Sequence, residues 1–128
     1  MKITRQMLVH RGACEGGLED FDIVAPFGAM EVTARNLCYF HERDVLWFIL
    51  EWGTPLKSCR EELLLSPTTA RYVATHVDQE PRDDTRALAL GDPHDAYLYA
   101  KYVDCGPRLD TWKASGIYRD AYELRVPL

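Results

Sequence analysis

The chain reads as a mostly α protein, a compact helical domain of stacked antiparallel helix pairs. Three observations carry that expectation. Residues 92–103 have a counterpart 26 positions upstream: Ser66-Pro67 falls under Asp92-Pro93, and Ala70, Ala74 and Val77 fall under Ala96, Ala100 and Val103. A fixed period in this range marks a stacked repeat. Both stretches open with Ser or Asp before Pro. The first can accept from the unpaired N–H groups of a helix's first turn, and the second loses nothing there by lacking a donor. Behind each Pro, apolar residues recur at helical spacing, as Ala70, Val73, Ala74, Val77 and as Ala96, Tyr99, Ala100, Val103.

A shortened third copy is expected 25 positions on, where Asp95-Ala96-Tyr97 meets Asp120-Ala121-Tyr122. Each copy has an apolar segment upstream, at residues 61–65, 85–90 and 109–114. A unit is therefore a short helix, a Ser/Asp-Pro turn and a second short helix. One such unit cannot bury its apolar stripe alone, whereas stacking on the next unit does so. The small Ala positions let neighbouring helices approach closely. The Glu80-Pro81 and Gly106-Pro107 turns separate the units.

The expected organisation is one domain over residues 1–128, with an irregular helical cap at 1–55 and repeats at 56–128. Thr4 is placed as the N-cap of a first short helix that ends at Gly12. A second helix is expected over residues 13–21, weakened by Gly16-Gly17. The reading includes one short N-terminal β-hairpin, with residues 21–24 and 30–32 as its strands around Pro26 and Gly28. Thr33 caps a helix carrying Leu37 and Phe40. Asp44 caps another, apolar from Val45 to Trp52, which is expected to be buried on every side.

Gly12-Ala13-Cys14, Phe21, Gly28, Val32-Thr33 and Trp47 resemble a pattern in small bacterial and phage proteins of unassigned function. Related proteins carry tandem units of the form D-P-x-x-A-Y-x-Y-A-x-x-V, which residues 92–103 match. The resemblance implies a phage or mobile-element origin and a helical-repeat architecture. It brings no chemistry with it.

The sequence holds 128 residues, 47% hydrophobic and 27% charged, with a net charge of −5. That is ordinary for a globular domain. No apolar run approaches the roughly 20 residues of a membrane span, and no apolar signal region follows Met1-Lys2, so a cytoplasmic protein is expected. The four cysteines are widely spread and form no C-x-x-C pair, as suits reduced side chains. Between Arg11 and Arg35 there is no Lys or Arg, while Glu15, Glu19, Asp20, Asp22 and Glu31 fall in that window. A second acidic stretch holds Asp78, Glu80, Asp83 and Asp84. Phosphate backbones are held by clustered bases, so direct nucleic-acid binding is disfavoured.

Several constellations are weighed for chemistry. His10 and Cys14, with Cys38 and His41, have the residue types of a Cys2His2 zinc set. The alternative is two buried cysteines and two surface histidines, and no metal or cofactor is assigned. No signature marks a Cys–His nucleophile, and no catalytic residue is assigned. Tyrosines at helical spacing serve as core fillers sooner than as base-stacking platforms, which need a basic groove. The favoured reading is a non-catalytic module that binds a protein partner with a basic surface. Its binding residues would be Glu15, Glu19, Asp20, Asp22, Phe27, Glu31, Asp78, Glu80, Asp83 and Asp84. Leu18, Phe21 and Met30 would add apolar anchors. The alternatives are a metal-dependent enzyme or regulator built on His10, Cys14, Cys38 and His41, and a self-assembling helical-repeat protein.

Overall fold

Helix α1 (Arg5–His10) starts where the Thr4 hydroxyl accepts the Met7 N–H. In this computed structural model, which describes residues 1–128, α2 (Glu15–Val24) starts on Cys14, whose Sγ accepts the Gly17 N–H at 3.4 Å. The one sheet pairs β1 (Lys2–Thr4) antiparallel with β2 (Ala29–Glu31), setting Ile3 opposite Met30. The expected hairpin is thus corrected, because residues 21–24 finish α2 and the partner of β2 is β1. An extended segment would put Phe21 and Ile23 on one face. Instead Phe21 is 1% exposed and Ile23 79%, as a helix requires.

Thr33 caps α3 (Ala34–Leu37) by accepting the Asn36 N–H. His41, not Asp44, occupies the N-cap of α4 (Glu42–Trp52). This helix is one-sided rather than buried all round. Val45, Phe48, Ile49 and Trp52 form its inward stripe, while Leu50 is 51% exposed and Trp47 half-buried. The stripe joins Ile3, Phe21, Leu37, Leu56 and Leu63 in the main core, which also takes in Val73 and Val77 of the first unit. The cap therefore seals one end of the stack.

The stack begins with a 3-10 segment (Thr54–Leu63), then α5 (Pro67–Tyr72), which widens into a π turn (Val73–Asp78). The second unit repeats this with α6 (Asp83–Ala89), α7 (Pro93–Tyr99) and a π turn (Ala100–Asp104). The third comprises α8 (Leu109–Ala114), a 3-10 turn (Gly116–Tyr118) and α9 (Arg119–Arg125). Both π turns end on a residue in the left-handed region, Gln79 (φ 56°) and Cys105 (φ 52°), and two residues later comes Pro81 or Pro107. Leu63, Ala89 and Ser115 are spaced by 26 and are all 0% exposed.

Two polar devices recur with the period. Arg60 donates from Nε and Nη2 to Asp78, both at 2.8 Å, and from Nη1 and Nη2 to Asp84 at 2.7 and 3.0 Å. Arg86 grips Asp104 in the same way, again 18 residues on. The second device is a tyrosine hook. The Tyr99 hydroxyl lies 2.8 Å from the Thr85 hydroxyl, donates to the Arg82 carbonyl and accepts the Arg82 N–H. Tyr122 does the same with Thr111 and Arg108. Tyr122 therefore stands in the place of Tyr99, 23 positions on, and not of Tyr97 as the 25-residue shift implied. From Thr85 to Thr111 the step is 26, so the last unit is three residues short and lacks the Pro that opens α5 and α7. Units dock where a Pro meets a Gly. A Cβ on Gly91 would come within 3.3 Å of Pro67, and one on Gly116 within 3.6 Å of Pro93.

Asp78→Ala should lower stability by about 3 kcal/mol, at the low end for breaking a buried pair because Arg60 keeps Asp84. Asp84→Ala should cost about 1 kcal/mol or less, since its carboxylate is 45% exposed. Equal losses in urea titrations would show that the two carboxylates do not differ in this way. Ala100 is 0% exposed against Tyr97, Tyr122 and Val126, so Ala100→Leu should overpack the joint between the last two units by about 1–3 kcal/mol in the same assay.

Candidate functional site

α2 turns Gly17, Leu18 and Phe21 toward the core and Glu15, Glu19 and Ile23 toward solvent. Glu15 and Glu19 are exposed, Asp20 half-buried, and none of the three has an ion-pair partner. Three residues beyond the end of α2, Phe27 is 98% exposed in the turn before β2. Glu15, Glu19 and Ile23 follow one another at helical spacing on the outer side of α2. Ile23 was missed from sequence, although its position four after Glu19 and two after Phe21 places it on the outer face of a helix. The anchors expected at Leu18, Phe21 and Met30 are corrected, since Phe21 and Met30 are buried and Leu18 packs on the core.

The window is also less free of countercharge than its sequence implied. Arg5 donates from Nε to Asp22 at 2.9 Å, and Glu31 lies 3.5 Å from the Met1 amino group. The second acidic stretch belongs mostly to the fold. Asp78 is 8% exposed beneath Arg60 and cannot meet a partner, and Asp84 completes that clamp. The Arg60 guanidinium holds the Asp84 carboxyl below the ordinary carboxylate range. Asp83 is fully exposed 3.2 Å from Arg86, and Glu80 is exposed without an ion pair.

A pocket of about 540 Å³ opens between the starts of α2 and α4. Its walls are apolar, among them Phe21, Met30, Leu37, Phe40, Trp47 and Phe48, and Cys14, Arg43 and Asp44 supply polar groups. Volume and lining fall in the range of small-ligand sites. Neither Arg43 nor Asp44 is engaged in an ion pair.

The zinc reading of His10, Cys14, Cys38 and His41 is corrected, because no three His, Cys, Asp or Glu side chains converge where a metal ion could sit. Cys14 and His41 instead occupy the N-caps of α2 and α4, and the Cys38 thiol donates to the Arg35 carbonyl at 2.9 Å. All four cysteines are free, and burial raises the pKa of the one buried thiol, Cys59. Burial, with the positive charge of Arg71, holds the His76 imidazole below its ordinary pKa. Tyr97, Tyr99 and Tyr122 are core residues, 5%, 0% and 3% exposed.

No protein-family model, curated protein or solved structure matches the chain. No helix is long and apolar enough to cross a membrane.

The acidic face depends on a helix that carries two glycines. A Cβ at Gly16 would meet nothing within 4 Å. Gly16→Ala should therefore raise stability by about 0.4–1 kcal/mol, chiefly by removing freedom from the unfolded chain. A lower melting temperature for this variant would show that the backbone at Gly16 departs from the helical conformation that alanine favours.

Proposed function

We propose that this protein is a non-catalytic binding module whose outer α2 face docks on a basic protein surface. One observation carries the reading. Ile23, 79% exposed, shares the outer side of α2 with Glu15 and Glu19, Phe27, 98% exposed, lies in the turn that follows the helix, and none of Glu15, Glu19 and Asp20 has an ion-pair partner. Apolar anchors supply most of the energy of an interface, and surrounding charges steer the encounter. Glu80 and Asp83 lie on a separate turn and play at most a peripheral part.

The concrete form of the proposal rests on the resemblance to small phage proteins together with this charge. The protein would act in a bacterial cytoplasm as an inhibitor of a defence nucleoprotein complex, of the anti-CRISPR kind. It would cover a basic surface that otherwise holds nucleic acid. An acidic face of this sort competes with phosphates for the same lysines and arginines.

The test uses purified CRISPR effector complexes and labelled target DNA. Parent protein should block DNA binding. The variant Glu15→Gln/Glu19→Gln/Asp20→Asn should associate about tenfold more slowly at low salt, with dissociation little changed. Ile23→Ala/Phe27→Ala should act in the opposite sense, mainly speeding dissociation. Added salt should slow association of the parent and leave the charge variant nearly unaffected. If the parent leaves DNA binding by every effector intact, the inhibitor reading fails. If a bound partner associates equally fast with parent and charge variant, the α2 face is not its docking site.

The pocket favours a second, compatible reading, the binding of a small apolar molecule between α2 and α4.

A further inference from the structure

The three units meet at two joints, and the joints are built differently. Across the first, Arg60 donates to Asp84, and Thr68 and Arg71 donate to Asp95 at 2.7 and 2.8 Å. Across the second, no side-chain hydrogen bond or ion pair passes between residues 82–105 and 107–128. What meets there is aromatic and apolar. The Tyr118 ring lies against His94 and Tyr97 at centroid distances of 5.0 and 6.1 Å, and Tyr122 and Val126 cluster with Tyr97 and Ala100. That cluster is distinct from the one at the first joint, and from the main core that the cap shares with the first unit.

The polar ties on either side of the second joint close within their own unit. Arg86 with Asp104, and Tyr99 with Arg82 and Thr85, lie before it. Tyr122 with Arg108 and Thr111 lies after it. Parting the last unit from the second therefore breaks none of them. Parting the first two units would break every bond to Asp84 and Asp95 named above. An end unit also has a single neighbour to leave. Once detached, residues 107–128 are too few to hold a core of their own, so their helices melt as they leave.

We propose that residues 107–128 form a lid, which opens from α7 by local unfolding about the Gly106-Pro107 connector while residues 1–105 stay folded. Segments that open singly are those with few ties to the rest of the structure. The connector offers little resistance. Gly106 is tied back by its N–H to the Ala100 carbonyl at 3.2 Å, and Pro107 has no N–H to lose. Opening bares Tyr97 and Ala100, which are 5% and 0% exposed beneath the closed lid. The acidic α2 face lies in the part that stays folded, so the motion is independent of it.

Amide hydrogen exchange on the full chain tests this. The Trp112, Ser115 and Val126 amides, which donate to Arg108, Thr111 and Tyr122, report on the lid. Those of Ala70 and Ala96, which donate to Ser66 and Asp92, report on the first two units. The lid amides should share one opening equilibrium, at least about tenfold more populated than the one that exposes Ala70 and Ala96. It should rise with urea, but less steeply than theirs, because opening exposes part of the surface that full unfolding exposes. Tyr118→Ala weakens the joint and should speed exchange at the lid and at Ala70 alike, by about tenfold. Asp78→Ala removes a tie that the closed and open forms both keep. It should speed exchange at Ala70 by about a hundredfold and leave the lid amides unchanged. Lid amides that follow Ala70 in that variant, or in urea, would show one cooperative unit and overturn the inference. So would lid exchange indifferent to urea, which marks fraying, or Ala96 exchanging together with the lid.

Discussion

One guanidinium holds together three parts of the chain that adjoin nowhere in sequence. Arg60 comes from the 3-10 segment, Asp78 from the end of the first π turn, and Asp84 from the first helix of the next unit. The planar fork of an arginine suits two carboxylates, and its buried nitrogens demand partners wherever the backbone places them. The geometry this imposes is specific. The π turn must deliver Asp78 to one edge of the guanidinium and α6 must deliver Asp84 to another. Units one and two are fixed to each other by that double requirement. Arg86 and Asp104 restate it once, and in the third unit Trp112 stands at the arginine's position. The polar clamp is absent from the third unit.

The clamps sort the acidic residues into two groups. Asp78, Asp95 and Asp104 are held by arginines inside the stack, with side chains 2%, 4% and 7% exposed, and Asp84 joins them from the rim. All four hold units in register, and Asp78, Asp95 and Asp104 are not available to anything outside. Glu15, Glu19 and Asp20 have no such partner and lie together on the cap. A net charge spread along the sequence thus resolves into a neutralised interior and a negative end. Every buried side-chain nitrogen and oxygen has a hydrogen-bond partner, so the stack spends none of its polar groups on an unmet bond.

What could be read from sequence was local. Ser66-Pro67 and Asp92-Pro93 announce helix starts through capping chemistry that needs no knowledge of the rest of the chain, and both caps are present. Thr4 and Thr33 are legible for the same reason. The β1–β2 pair was not, because three residues at Lys2 find their partner across two helices, and residues 21–24 satisfy a strand pattern as well as a helical one. The clamps escaped because a π turn, which no propensity signals, brings positions 18 apart into contact. The register of Tyr122 escaped because a deletion inside the last unit leaves Asp120-Ala121-Tyr122 imitating Asp95-Ala96-Tyr97. Asp78 was taken for a surface acid because a count of charges carries no information about depth, whereas Phe27, beside Pro26 in a turn, was rightly kept outside.

The seating of each opening proline on the next unit's glycine makes the chain directional. Pro67 has Gly91 and Pro93 has Gly116, but α9 begins without a proline and offers no seat to a successor. Duplicating residues 82–107 would insert a unit that carries both halves of that joint, Gly91 to receive the proline before it and Pro93 to be received in turn, whereas a copy of the last unit would bring Gly116 without a proline. The middle unit is thus the one whose repetition preserves every match.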